Sequence, residues 1–418
     1  MQSDNSFLMR VFLLSAKLIA QGKSLAGRGR SAFLQAVVPG TRLPKQEEIM
    51  KVARIVIAAL FAVLLAGLVL TGCQKKETTQ VGIVLPTKDE PRWIQDQTRF
   101  LDSMKSAGFS AKVLFSQGDS AKEKANVEAL IAEGIKVLII CPHDGTAAAA
   151  AADLAAKAGV KVISYDRLIR DTAAVDYYVT FDSFQVGAAW GEYLISQVPA
   201  DSKGNNLYLY AGAASDNNAF IFFEGAWSKL QPKIADGTFT VRNSDKAVAL
   251  SGKASLSRDE MSQIIGQVTT NWNFNDAKSK AEANLTAAAK GAKGTVYICA
   301  PNDGTARAIA DAFAADKAVT KYFITGQDAE IASVQYIIDG KQSMTVLKDV
   351  RTLVQDAINA AIAYMNGSTP PVTNTYNNGK KDVAAKPTAI VVVTKDNVKK
   401  EIVDSGYWPA DKFTGLGN

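Results

Sequence analysis

The chain writes one strand-to-helix corner twice. Ile140–Leu154 reads ICPHDGTAAAAAADL, and Ile298–Phe313 reads ICAPNDGTARAIADAF. In both, an apolar run closes on a cysteine, Pro and Asp-Gly-Thr follow, and an alanine-rich helical stretch begins. The copies stand too far apart for a solenoid, whose units recur at short, fixed periods. They predict equivalent corners in two lobes of similar build, each of which must close its own core. With 418 residues and 47% hydrophobic content, the chain has enough material for two.

From Val81 on, apolar runs alternate with helical patterns. VGIVLP (81–86) reads as a strand and 91–107 as a helix stopped by Gly108. AKVLF precedes a helix over 120–133 that stops at Gly134. KVLIIC leads into the first alanine-rich helix, which stops at Gly159, and KVISYD follows. Strands of continuous Val, Ile and Leu, separated by helices with C-terminal glycines, predict an α/β fold with parallel sheets covered on both faces. The alternation restarts at NLYLYAG (206–212). A helix over 217–230, FTVRN, a helix over 275–290, GTVYICA, the second alanine-rich helix and KYFITGQD then follow. The helix over 351–366 has no partner in the second lobe and reads as a return to the first. The N-terminal lobe is therefore expected over 81–183 and 346–386, and the C-terminal lobe over 184–345 and 387–418. Three crossings between them make a hinge.

The segment before Val81 is of another kind. MKVAR opens at Met50, IVIAALFAVLLAGLV runs from Ile55 to Val69, and LTGC ends at Cys73. An apolar run this short behind Lys51 and Arg54 predicts an export signal over 50–73 rather than a spanning helix. Its small residues before Cys73 resemble the lipobox of bacterial lipoproteins, which implies lipidation of Cys73. Residues 74–80 form a polar linker. Residues 1–49 are expected to be a non-native or disordered extension, with translation starting at Met50. The net charge of +6 lies wholly before residue 74. The neutral body that remains lacks the basic excess that nucleic acid binding requires.

Ligands of open α/β sheets sit beyond the carboxyl ends of the strands. Those ends carry Arg92 and Trp93, Asp166 and Arg167, Asn217 and Asn218, Trp272, Asn302 and Asp303, Asp328, and Lys348. Carboxylates, amides, cations and indoles together suit a sugar, whose hydroxyls both donate and accept and whose C–H faces settle on aromatic rings. Taken singly, Asp166, Asn302 or Asp328 would serve as a helix N-cap as readily as a ligand contact, and Asp144 and Asp303 are expected to shape the Asp-Gly-Thr corners. Cys141 and Cys299 read as buried thiols. Enzyme chemistry finds little support. His143 is the only histidine, no phosphate-binding glycine motif occurs, and no Cys/His cluster suits a metal. The carboxylate pair Asp166 and Asp328 would be held anionic by Arg167 and Lys348. The expectation is binding, with no cofactor and no metal.

RWIQD, KVISYDRLIRD, DYYVTFDSFQVG, DNNAF, NDGTA, TGQDAEIASVQYIIDGKQSMTV and NNGKKDV together carry a likeness. From about Val81 to Phe413 the chain resembles the periplasmic sugar-binding proteins of ABC importers, most nearly those for D-xylose and for multiple sugars. The resemblance implies the type I periplasmic-binding-protein fold, two Rossmann-like lobes closing on one monosaccharide, most nearly D-xylose. It implies sugar contacts at Arg92, Trp93, Asp166, Arg167, Asn217, Trp272, Asn302, Asp328 and Lys348. It further implies permease and ATPase subunits as partners, a monomer, and an extracytoplasmic, lipid-anchored location. Presentation of the bound sugar to a chemoreceptor or sensor kinase is the alternative. The segment between Thr238 and Trp272 is longer and more polar than in xylose binders, which leaves the geometry of that loop open.

Overall fold

The computed structural model describes residues 79–416; the expected export signal, Cys73 and the extension before Met50 lie outside the described residues. The first lobe runs β1 (Val81–Leu85), α1 (Pro91–Ser106), β2 (Ala111–Phe115), α2 (Ser120–Ala132), β3 (Val137–Ile140), α3 (Ala149–Lys157), β4 (Lys161–Tyr165) and β5 (Tyr177–Phe181). In the second lobe come α4 (Ser183–Ser196), β6 (Asn205–Leu209), α5 (Asn217–Ala235), β7 (Phe239–Val241), α6 (Asp245–Ala249), α7 (Arg258–Val268), α8 (Phe274–Ala287), β8 (Gly294–Cys299), α9 (Asp303–Ala315), β9 (Val319–Ile324), α10 (Ile331–Ile338) and β10 (Met344–Leu347). Then come α11 (Val350–Met365), β11 (Asn374–Asn377), β12 (Asp382–Thr388) and β13 (Val391–Thr394), followed by short helical turns at Lys399–Asp404 and Ala410–Lys412.

The first sheet has the order β11-β12-β5-β4-β3-β1-β2, with β1 to β5 parallel. The second has the order β7-β6-β8-β9, also parallel. It is extended by β10 through a parallel bridge between Gln327 and Val346, and β13 pairs antiparallel with β10. Counted within each lobe, both sheets follow the order second, first, third, fourth, fifth. The duplicated sequence is the exit from the third strand in each, β3 into α3 and β8 into α9. The corners have diverged in detail. Asp144 accepts from Thr146 N and Ala147 N at 2.9 Å and shapes the first turn, whereas Asn302 caps α9 and Asp303 turns inward to Gln342 and Glu330 N. Cys141 and Cys299 are free and buried.

Strand burial follows from the layering. β1, β3 and β5 are buried along their whole length, as strands sandwiched between helices must be. One core holds Ile83, Phe100, Ile139, Ile163 and Leu353, and another holds Val186, Trp190, Leu209, Phe223 and Ile265. Within the second lobe, α4 and α5 touch backbone to backbone. A Cβ added at Gly187 would stand 1.8 Å from Phe222 O, so only glycine permits this contact. The packing fixes the start of α5, which faces the first lobe.

Two lobe boundaries differ from the sequence reading. Val346 and Leu347 belong to β10 of the second sheet, so the return to the first lobe begins after Lys348 and not at 346. The tail also does not stay wholly with the second lobe over 387–418. After β13, Val398, Ile402 and Tyr407 join the core that holds Phe100, Met104 and Leu353, and the Tyr407 hydroxyl accepts from Gln95 of α1. Trp408 Nε1 then donates to Ala329 O, and Thr414 N to Gln335 Oε1 of α10, both in the second lobe. Apolar side chains in a chain terminus dock where uncovered apolar surface remains, here beside α1 and α11, and local pattern does not encode that destination.

Candidate ligand-binding site

The carboxyl ends of the two sheets face each other across one cavity. From the first lobe it is lined by Glu90, Arg92, Trp93, Asp166 and Arg167; from the second by Asp216, Asn218, Phe222, Trp272, Asn302, Gln327 and Asp328, with Lys348 at the crossover. Eight of the nine expected residues are therefore neighbours around one space. Asn217 is the exception. Its Oδ1 accepts from Arg170 Nη1 at 2.9 Å and from Arg258 Nη1 at 3.0 Å, away from the cavity, while Asn218 lines it. Asp216 caps α5 by accepting from Asn218 N, while the Asn218 side chain donates to the main-chain oxygen of Asp166.

Arg92 organises the floor. Its Nη2 lies 2.8 Å from Asp166 Oδ2, its Nε 3.1 Å from Asp96 Oδ1, and its Nη1 3.6 Å from Asp328 Oδ1. Behind it, Tyr165 donates to Asp96 Oδ2 at 2.8 Å. Arg167 pairs with Asp216 at 2.9 Å and reaches Glu90 at 3.6 Å. The two guanidiniums lie 4.9 and 5.2 Å from the Trp93 ring, whose Nε1 donates to Glu90 Oε1 at 3.0 Å. Trp93 thus seats both arginines by cation–π contact as well as lining the space. Lys348 Nζ lies 2.9 Å from Asp328 Oδ1 and between Phe181 and Phe222, at 5.6 and 5.7 Å from their rings.

These pairings decide protonation. Burial by itself would raise the Asp166 carboxyl, but Arg92, Lys348 and Arg167 outweigh it and hold it below its ordinary value. Asp216 goes the other way, raised by burial that its Arg167 pairing only partly offsets. At Glu90 burial prevails over Arg167 and pushes the carboxyl up to about 7.

The pairing is incomplete in a specific way. Trp272 Nε1, Asp328 Oδ1 and Gln327 Oε1 are buried lining atoms without a hydrogen-bond partner; Lys348 approaches Asp328 Oδ1 closely, but off the angle of a hydrogen bond. A buried polar atom left unmade costs about 1–3 kcal/mol. One donor and two acceptors around one space suit a neutral molecule with several hydroxyls. The backbone is strained at two of these residues, with φ of +59° at Trp272 and +98° at Asp328, and at Asp166 across the cavity, with φ of +61°, and such strain concentrates where a site is held in shape. Trp272 also needs a glycine opposite, because a Cβ at Gly212 would stand 1.9 Å from its ring. Among the described residues no group of three or more His, Cys, Asp or Glu side chains is arranged to hold a metal.

Sequence reading missed Glu90, Asp216, Phe222 and Gln327. Asp216 and Gln327 stood beside residues it did select. Phe222, two helical positions past Phe220, carries no polar signal at all.

Residues 81–369 match a family model described as the periplasmic binding protein domain. The chain belongs to that family. It is 36% identical to the multiple sugar-binding periplasmic protein of Azospirillum brasilense over 84% of this chain and 95% of that protein. It is 29% identical to the D-xylose-binding periplasmic protein of Escherichia coli over 86% of this chain and 98% of that one. Among solved structures it is similar to the carbohydrate transporter solute-binding protein of Chloroflexus aurantiacus in complex with D-glucose. There the identity is 71%, the TM-score 0.79, and the match covers 81% of this chain and 98% of the other. As in other periplasmic binding proteins of this type, two α/β lobes with parallel sheets flank the cavity.

Proposed function

We propose that this periplasmic binding protein is the solute receptor of an ABC sugar importer and takes one aldopyranose between its lobes. The observation that carries the reading is the set of buried side-chain atoms Trp272 Nε1 and Gln327 Oε1, without a hydrogen-bond partner, and Asp328 Oδ1, held by ion pairs alone, on residues that line one cavity. A neutral polyol satisfies them without bringing a charge that Arg92, Lys348 and the carboxylates would have to balance. D-Xylose and D-glucose share every ring hydroxyl orientation and differ by one hydroxymethyl group. The similarity to a xylose binder and to a D-glucose complex supports both as ligands. The protein acts without catalysis, outside the cytoplasm, held to the membrane through Cys73 and delivering sugar to permease and ATPase subunits.

Calorimetric titration with D-glucose, D-xylose, D-galactose, L-arabinose and D-ribose tests this. D-Glucose and D-xylose should bind with micromolar or better Kd, which corresponds to roughly −8 kcal/mol or more. Absence of binding by every aldose would remove the proposal.

A further inference from the structure

Four consecutive residues of the second lobe each bond the first lobe directly. Ser215 O accepts from Gly145 N at 3.1 Å, and Asp216 Oδ2 pairs with Arg167 Nε at 2.9 Å. Asn217 Oδ1 accepts from Arg170 Nη1 at 2.9 Å, and Asn218 Nδ2 donates to the main-chain oxygen of Asp166 at 2.9 Å. Asp216 and Asn218 line the cavity, so a ligand would share them; Ser215 and Asn217 do not line it.

Asn217 has the more unusual role. Its one carbonyl oxygen also accepts from Arg258 Nη1 at 3.0 Å. Arg258 belongs to α7 of the second lobe, and its guanidinium is seated 3.8 Å from the Phe220 ring. Arg170 comes from the first lobe. A neutral oxygen therefore joins two cations from opposite lobes that would otherwise repel each other. This contact exists only while the lobes are together, and none of its three residues lines the cavity.

We infer that Asn217, with Arg170 and the Ser215 carbonyl, is a clasp that sets how much closed protein exists before a sugar arrives. The inference rests on the reading that closure captures the ligand. The apparent Kd is the intrinsic Kd divided by the fraction of protein in the competent state. The clasp therefore tunes affinity for every sugar by one common factor, without touching any of them.

Two substitutions at one position make opposite outcomes. Asn217→Ala removes the shared acceptor and leaves Arg170 and Arg258 facing each other. The radius of gyration of the unliganded protein, read by small-angle X-ray scattering, should grow. The Kd for D-glucose and for D-xylose should rise by the same factor, about tenfold if the closed fraction falls tenfold. Asn217→Asp supplies a carboxylate to both guanidiniums at the first residue of α5, where negative charge is favoured. It should shrink the unliganded radius, lower Kd and slow dissociation. Arg170→Ala should repeat the alanine result from the other lobe. An unchanged radius and Kd in both Asn217 variants would overturn the inference, as would a loss of affinity that differs between the two sugars. If no aldose binds the wild-type protein, the functional reading fails on its own; the radii of the unliganded variants then decide the clasp, and equal radii reject it.

Discussion

Asp328 shows what a single side chain does in this cavity. Its carboxylate faces Lys348 at 2.9 Å and Arg92 at 3.6 Å, all three nine-tenths or more buried. Removing Asp328 leaves the Lys348 ammonium buried without its ion pair, while Arg92 keeps Asp96 and Asp166. Asp328→Ala should therefore weaken sugar binding by about 2–5 kcal/mol, measured by calorimetry. Asp328→Asn keeps the shape and one acceptor oxygen, so a loss confined to the alanine variant would point to cavity shape, while equal losses would point to charge. Wild-type affinity in both would remove Asp328 from the site. At this scale the sequence is informative through the ensemble: any one of these residues could cap a helix, as Asn302 does, but so many of mixed charge at the strand ends point to a shared site. It failed at Asn217 and Asn218, which are adjacent and chemically identical. What separates them is tertiary: Asn218 Nδ2 donates to the Asp166 main-chain oxygen beside the cavity, whereas Asn217 Oδ1 is taken by Arg170 and Arg258.

At the scale of elements, α5 is the piece that brings the second lobe to the first. Its N-terminus carries Asn217 and Asn218, and its first turns carry Phe222. Its position depends on Gly187 of α4, where any Cβ would meet Phe222 O at 1.8 Å. Gly187→Ala must force the two helices apart. A loss of about 1–3 kcal/mol is expected from overpacking of this kind, visible as a lower urea midpoint with an unchanged m-value. Because α5 would shift, sugar affinity should fall as well; a stable variant with normal affinity would show that the contact is not needed. The sequence reading placed a helix over 217–230 but gave no sign that its neighbour had to be this close. The helices α6 and α7 were also illegible. Their stretch is polar and carries serine caps at Ser244 and Ser257, and those signals are weak until packing on Met261, Ile264 and Ile265 is known.

For the whole molecule, the buried acids set a pH dependence. Burial raises both Glu90 and Glu123 to about 7, against an ordinary value of 4.5. A group whose folded value lies above its unfolded one stabilises the fold fully below the unfolded value, and the contribution is lost as pH rises through the folded one. These two acids therefore favour the folded state near pH 4.5 and cease to do so above about pH 7. Glu123 is the stronger case, being 1% exposed and bonded to Ser116 Oγ and His143 N, whereas Glu90 keeps partial access to water. Tm should fall between about pH 5 and about pH 8, and Glu123→Gln should flatten that fall more than Glu90→Gln. A rising Tm over that range, or no flattening in either variant, would contradict the assignment.

The repeat of one α/β unit, the position of its corners and the polar residues that crowd the strand ends are all legible in the sequence alone. The reason is that strand and helix periodicity, glycine stops and turn chemistry are local properties written within about ten to fifteen residues. Which side of α5 faces the partner lobe, where the tail beyond Lys395 docks, and which buried atoms remain without hydrogen-bond partners emerge only from the packed fold. Those depend on contacts between residues hundreds of positions apart, such as Gln95 with Tyr407 or Asn378 with Ile169, and no local pattern contains both ends of such a contact.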